Sequence, residues 1–209
     1  MKRLGRIGCL SVLCSAAVAS PCSATEPADG SYGRIDGDVT CSAALGAAVA
    51  SHSYGVHASA AARYLDTAGV YVSLYAPLAP IERAKERAVS AGLSLRPLFL
   101  PRFLTNRETG PAWADLVIDS FTLHVGAVAI WQTHFEWIRP GLELGAHIGL
   151  PLRSAARGPW LLAGTAMQWS HTDLAHSSHA ATSAIAFAAI AWQGIFDAGI
   201  VDLHDTRHR

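Results

Sequence analysis

Between residues 120 and 170, this 209-residue chain contains serine, histidine and glutamate residues of the kinds that hydrolases use in acyl transfer. Ser120 and His124 are an even number of positions apart, as are Glu143 and His147, so in extended strands each pair projects from one side. Ser120 or Ser170 as nucleophile, His124 or His147 as base and Glu143 to orient the base would form a lipid-deacylating hydrolase. The spacing does not fix the distances between these groups, so the hydrolase is kept as an alternative.

The same side chains can instead pair with one another inside a protein. Arg63 and Arg96 lie on other alternating segments and would face the same interior as His124, Glu143 and His147. Buried charges are tolerated when they are paired. We predict that these five residues line the lumen of a closed fold and that none of them is catalytic.

A second cluster of titratable residues lies near the C-terminus, in the stretch HTDLAHSSHA (171–180). Its His171, Asp173, His176 and His179 carry the imidazole and carboxylate ligands that zinc or copper bind. The stretch is polar, and nothing in it supplies the supporting contacts that hold metal ligands in place. We therefore predict a solvated loop that holds no metal, and we expect no cofactor elsewhere.

The clearest structural signal is the stretch RPGLELGAHIGLPL (139–152), which contains two of these residues. Apolar residues occupy every second position, and charged, titratable or glycine residues lie between them. A period of two places these sets on opposite faces of a strand. This pattern is typical of a strand with lipid on one side and a crowded, hydrated interior on the other. The predicted lipid-facing residues of this strand are Leu142, Leu144, Ala146, Ile148 and Leu150.

Similar alternation recurs along the chain and predicts eight strands that close into a single antiparallel transmembrane β-barrel, an all-β fold. Further lipid-facing residues are predicted at Phe121, Leu123, Val125, Val89, Leu93 and Leu95. The predicted strands cover residues 38–51, 57–65, 70–75, 88–96, 116–131, 139–152, 159–170 and 181–196. The last of them fits neither the strand nor the helix period well. The segment 97–114 contains three prolines and is expected either to lie along the membrane interface or to fold back into the lumen.

The N-terminus has the features of an export signal. Lys2, Arg3 and Arg6 form a basic region, an apolar stretch follows, and small residues offer cleavage after Ala19 or, preferably, after Ala24. Cleavage after Ala24 leaves 13 Lys and Arg against 16 Asp and Glu, and no basic face for nucleic acid emerges. The predicted organisation is a signal peptide (1–24), a polar leader (25–33), a barrel (34–196) and a polar tail (197–209).

The composition agrees with strands that cross a membrane. The chain is 51% hydrophobic and 15% charged with a mean hydropathy of +0.25, yet no long apolar block follows the N-terminus. Cys41 alone would remain after cleavage, so no disulfide framework is expected. Tryptophans near predicted strand ends are expected to form interfacial girdles: Trp131, Trp137, Trp160 and Trp169.

On these features the chain resembles the small outer-membrane barrels of the OmpA, OmpX and OmpW kind, over about residues 34–196. The resemblance rests on an export signal followed by alternating segments. It implies eight strands, short periplasmic turns, longer outer loops and an interior filled by side chains. Two features depart from it: the long connection 97–114, which would fall on the periplasmic rim, and the chain that continues past Phe196.

The favoured function is an integral barrel of the bacterial outer membrane, with a structural or surface-interaction role and no catalysis. Its expected partner is outer-membrane lipid, it is expected to be monomeric, and an eight-stranded interior leaves no room for a wide pore. Two alternatives stay open. One is the lipid A deacylase-like hydrolase above, and the other is a soluble secreted barrel that binds a small apolar ligand.

Overall fold

Eight antiparallel strands form a closed barrel in a computed structural model of the chain, in which each strand pairs with its neighbours in sequence and the first pairs with the last. The structure describes residues 33–51, 53–80, 86–105, 107, 111–131, 138–175 and 183–199. The strands are β1 (Val39–Ala50), β2 (Ser53–Tyr64), β3 (Ala68–Pro80), β4 (Arg87–Leu95), β5 (Thr122–Trp131), β6 (Arg139–Pro151), β7 (Gly158–Ser170) and β8 (Ser183–Phe196). Three short helices lie between strands: α1 (Phe99–Leu104), α2 (Ala112–Asp119) and α3 (His171–Ala175).

The barrel is closed by β1 and β8, which pair from Val39 opposite Phe196 to Ala50 opposite Ile185. Closure gives the backbone groups of every strand a partner on both sides and removes the exposed edges of an open sheet. The predictions of an all-β fold, of antiparallel pairing and of eight strands are confirmed. None of the described helices has the length and apolar character needed to cross a membrane.

The two ends of the barrel differ. We call the end at which β1 begins and β8 ends the terminal rim, and the opposite end the distal rim. The terminal rim carries a tight turn at residues 65–67, the turn 152–157, and a long insertion, residues 96–121, that contains α1 and α2. At the tight turn Leu65 and Asp66 have positive φ values of 44° and 53°, the geometry that matches the right-handed twist of the two strands it joins.

Three predicted strand limits are wrong by four residues or more. Strand β2 begins at Ser53 rather than at residue 57, because residues 53–56 pair with β3. The predicted strand 116–131 starts only at Thr122, because residues 112–119 form α2, whose Leu116 is fully buried against the barrel interior. Strand β3 was predicted to end before Pro77, yet it continues to Pro80. Among the described residues it pairs beyond Tyr75 with β2 but no longer with β4, and proline is tolerated on such an edge stretch where its nitrogen faces away from the neighbouring strand.

Alternation sorts the strand residues into an outer and an inner set. Among the described strand residues, Arg87 at the distal end of β4 is the one charged residue in the outer set. In the middle of the wall the outer set consists almost entirely of alanine, valine, leucine and isoleucine. The inner set holds the buried charged residues of the strands, including Arg63 and Glu143.

Candidate functional site: the polar cluster of the lumen

Glu143 on β6 lies at the centre of the lumen with 2% of its surface exposed. Its carboxylate accepts hydrogen bonds from the Tyr71 hydroxyl (3.0 Å), the Ser90 hydroxyl (2.7 Å) and the Gln168 side-chain amide (2.7 Å). The Nε2 atom of His124 lies 3.7 Å from the same carboxylate. One side chain therefore joins β3, β4, β5 and β7 to β6 across the lumen, and its charge is compensated by hydrogen bonds.

Glycines make room for this cluster. A Cβ atom on Gly126 would lie 2.8 Å from the Tyr71 hydroxyl and 2.3 Å from the carbonyl oxygen of Ala91. A Cβ atom on Gly145 would lie 2.2 Å from Nε2 of His124. The glycines between the apolar residues of these strands therefore provide the space that the larger lumenal side chains fill.

A second polar group lies nearer the terminal rim, around Arg96. Its guanidinium pairs with both carboxylate oxygens of Asp66, in the tight turn, and hydrogen bonds to Thr122 (3.3 Å) and Gln193 (3.2 Å). All four side chains are at most 4% exposed. This ion pair holds the turn between β2 and β3 against the inner wall.

Arg63 differs from Arg96 because Nε and Nη1 of its guanidinium, 3% exposed, have no hydrogen-bond partner among the described residues. It lines a cavity of about 50 Å³, together with His57, His124, His147 and Glu143. A space of this size accommodates a few waters, which suit such polar groups, and it is far smaller than a typical small-ligand pocket.

Apolar layers lie above and below the polar cluster. Near the distal rim the layer consists of Ala48, Ala50, Tyr75, Ala88, Val128, Ile130 and Ile185. Near the terminal rim it consists of Leu116, Ala156, Trp160, Ala191 and Ile195. The lumen is thus polar in the middle and apolar towards both ends, so that it is filled rather than open.

The terminal layer is completed by α2, which is held in place by ion pairs. Arg34 pairs with Asp119 and donates a hydrogen bond to the carbonyl oxygen of Asp115 (3.1 Å), while Arg102 pairs with the carboxylates of Asp115 and Asp119. The Arg34 guanidinium also lies over the ring of Phe99, 4.9 Å from its centre. Burial lowers the pKa of Arg34, against the effect of Asp119. Burial also opposes the charge of Arg102, but hydrogen bonds with the two aspartates outweigh it and raise its pKa.

The residues of the hydrolase alternative lie at different places. The Ser120 hydroxyl lies at the end of α2, where it is 2.7 Å from the carbonyl oxygen of Val117 and 2.9 Å from that of Gly149, and accepts the Gly149 N–H at 2.8 Å. None of these partners is a histidine. Ser170 lies at the distal rim, with its hydroxyl 2.7 Å from that of Thr172. The histidine rings of positions 124 and 147 are neighbours, with centres 5.9 Å apart.

The remaining predicted site residues are placed as follows. On the outer wall, Leu142, Leu144, Ile148, Leu150, Leu123, Val125, Leu93 and Leu95 are between 38% and 63% exposed. Ala146 and Val89 are partly exposed there, and Phe121 precedes β5 rather than lying on it. Arg63, Arg96, His124 and Glu143 are buried inside, and His147 is partly buried there. Contact with lipid stays a prediction.

The predicted metal cluster is only partly described. His171 and Asp173 lie in α3, whereas His176 and His179 fall outside the described residues. Within the described part of the chain, no group of three or more histidine, cysteine, aspartate or glutamate residues is arranged to hold a metal ion.

The tryptophan prediction is wrong for Trp160. Its ring points inward, is 2% exposed and donates a hydrogen bond from Nε1 to the carbonyl oxygen of Ala156 (3.0 Å). Trp131 and Trp169 lie at outer positions near the distal rim, and position 137 is outside the described residues. The prediction missed Trp192, which is 63% exposed near the terminal rim. Its outer position on β8 could have been found by counting in steps of two from Ile190.

Together these features define a closed, eight-stranded antiparallel barrel with a filled polar lumen. Among solved structures, the N-terminal β-barrel domain of Pseudomonas aeruginosa OprF is similar, with 9% identity, a TM-score of 0.48, and coverage of 76% of this chain and 98% of that one. Ail, the attachment invasion locus protein of Yersinia pestis, has 10% identity, a TM-score of 0.40, and coverage of 76% and 99%. Neisserial surface protein A has 13% identity, a TM-score of 0.42, and coverage of 76% and 97%. No family profile and no curated protein matches the sequence, and the likeness to these structures concerns the fold alone.

Proposed function

We propose that this protein is a monomeric integral barrel of the bacterial outer membrane, with a structural or surface-interaction role and no catalytic activity. The observation that carries the proposal is the outer wall, where Arg87 is the one charged residue among the described strands. Monomeric water-soluble proteins rarely expose a continuous apolar surface of this extent. Hydrocarbon is the solvent that such a surface matches.

The dimensions of the wall agree with this assignment. A strand of 12 residues, the length of β1, spans roughly 30 Å along the barrel axis at about 3.4 Å per residue and a tilt of about 40°. The apolar band of an outer-membrane barrel is about 25 Å tall. The strands are therefore long enough to cross the hydrocarbon and leave their ends in the headgroup region.

The burial of β6 argues against a soluble barrel with an apolar interior. Leu144, Ile148 and Leu150 are 50%, 44% and 45% exposed, whereas Glu143 is 2% exposed. A barrel built to bind an apolar ligand in water would reverse this distribution. The filled lumen likewise argues against a wide aqueous channel.

The absence of catalysis is part of the proposal and rests on the position of Ser120, whose hydroxyl is bound to backbone groups. Alanine variants of His124, Glu143 and His147, together with a deletion strain, are to be compared with wild type by lipid A mass spectrometry. We expect identical lipid A in all of them. Loss of a deacylated species in the deletion strain and in these variants would establish the hydrolase instead.

Membrane insertion is tested by producing the full chain in a Gram-negative host and separating the membranes. We expect the protein in the outer-membrane fraction, resistant to carbonate and high salt. On a denaturing gel it should migrate differently before and after boiling, because a closed barrel resists the detergent until heated. Release of the protein by carbonate would end the membrane assignment.

A further inference from the structure

In the insertion at the terminal rim, charged side chains are buried and several large apolar side chains are exposed. Its Arg102 pairs with Asp115 and Asp119, and the two aspartates are buried, at 1% and 5% exposed. Phe99 and Leu116 are buried, but five other large apolar residues of the insertion are exposed: Leu98 (38%), Leu100 (41%), Phe103 (37%), Leu104 (72%) and Trp113 (56%). A helical segment that packs on a protein and faces water shows the reverse distribution.

The position of this apolar surface indicates what covers it. The chain enters the insertion directly from Leu95, an outer residue at the end of β4 that is 48% exposed. It leaves the insertion next to Leu123, an outer residue of β5 that is 40% exposed. The exposed residues of α1 thus come a few positions after the apolar wall in the chain, at the rim where, in a bilayer, hydrocarbon would give way to headgroups. Trp113 adds an aromatic ring of the kind that prefers that level.

We infer that the α1–α2 insertion is a second membrane-contacting element, and that phospholipid of the leaflet at the terminal rim covers its apolar side chains. The inference rests on the proposed function, since it requires the barrel to lie in a bilayer. Helices of 6 and 8 residues are too short to be stable alone. The ion pairs of Arg34 with Asp119 and of Arg102 with both aspartates hold them in place. The same segment therefore closes the lumen and presents leucine and aromatic side chains to lipid.

Spin-label accessibility tests the inference in the full chain reconstituted into phosphatidylethanolamine–phosphatidylglycerol vesicles. All native cysteines are replaced by alanine, and one cysteine is introduced per variant. Leu104→Cys reports on the insertion, Leu93→Cys (63% exposed on β4) on the apolar wall, and Ser154→Cys on an exposed turn of the same rim. We expect the ratio of oxygen to nickel-chelate accessibility at position 104 to approach that at position 93, several-fold above that at position 154.

The accessibility ratios at the three positions distinguish a failure of this inference from a failure of the proposed function. A lipid-like ratio at 93 with a water-like ratio at 104 would overturn the inference and leave the proposed function standing. Water-like ratios at both positions would overturn both. If the label at position 104 is shielded from both oxygen and the nickel chelate, and its spectrum is broadened by a neighbouring label, a second copy of the chain covers this surface. That result also overturns the inference. If Leu104→Cys does not show the heat-dependent gel shift of a folded barrel, Leu100→Cys takes its place.

Discussion

Replacing Leu144 by arginine gives the sharpest test of the environment of the outer wall. Leu144 lies near the middle of β6 and is 50% exposed. Its cross-strand neighbours are Val125 on one side and Met167 on the other, which are 44% and 52% exposed. A guanidinium at this position therefore has only apolar side chains directly opposite it on the two neighbouring strands. Its stability therefore depends on the solvent that surrounds the wall.

Lipid and water around the wall predict different changes in the free energy of unfolding for this substitution. In a bilayer, an arginine at the level of the midplane destabilises an outer-membrane barrel by about 2–4 kcal/mol. On a surface that faces water, the same substitution changes the free energy of unfolding by about 0.5 kcal/mol at most. The difference of at least 1.5 kcal/mol corresponds to more than a tenfold change in the folding equilibrium.

Leu152→Arg is the matched control. Leu152 is 51% exposed and follows the end of β6 at the terminal rim, where an arginine can reach the headgroups and should cost about 0–1 kcal/mol. Both free energies are measured by reversible urea unfolding in lipid vesicles, followed by tryptophan fluorescence, with the denaturant slope compared between variants. Equal, small effects of the two substitutions would refute the assignment of the wall to lipid.

Three further substitutions test the interior. Glu143→Ala leaves three buried donors without their acceptor and should destabilise the barrel by about 2–4 kcal/mol in the same assay, while Glu143→Gln, which keeps an acceptor oxygen, should cost less. Leu116→Ala removes a fully buried side chain of α2 and should cost about 2–5 kcal/mol; Leu174→Ala, on exposed α3, should stay within about 0.5 kcal/mol. Gly126→Ala places a methyl group against the next strand and should cost about 1–3 kcal/mol, whereas Ala127→Leu on the outer wall should be tolerated. A stable Gly126→Ala variant would show that the strands can separate there.

The sequence predicts the wall well because its signal is local. In β6 each apolar residue and its polar neighbour are adjacent in the chain, so alternation alone assigns the two faces. The same holds in β4 and β7. Closure could also be predicted, since an unpaired edge is not tolerated in hydrocarbon.

Two features could not be predicted, because they depend on residues distant in the chain. Strand β8 has apolar residues on both faces, since Ile185 and Ile195 belong to the two apolar layers of the lumen, and its period is therefore masked. The start of the predicted strand at 116 lies in the apolar run Leu116–Ile118, which continues into the alternation of β5, yet Leu116 is fully buried against Ala156 and residues of β7 and β8. Nothing near it in the sequence reveals that burial.

The partners of Glu143 suggest that its role is to fix the register of the strands. A slip of β6 by one residue would turn this carboxylate towards the outer wall and Leu144 into the lumen. A slip by two residues would keep the faces but would place Glu143 opposite Ala166 or Ser170 instead of Gln168, and Ala166 has no side-chain donor. It would also place Glu143 opposite His124 or Val128 instead of Gly126, where a larger side chain leaves less room for the partners of the carboxylate. The outer positions carry similar apolar residues, so a slip by two residues changes the contacts on the outer wall very little. The outer wall therefore does not distinguish registers that differ by an even number of residues. The buried carboxylate with its three donors therefore accounts for the specificity of strand register in this barrel.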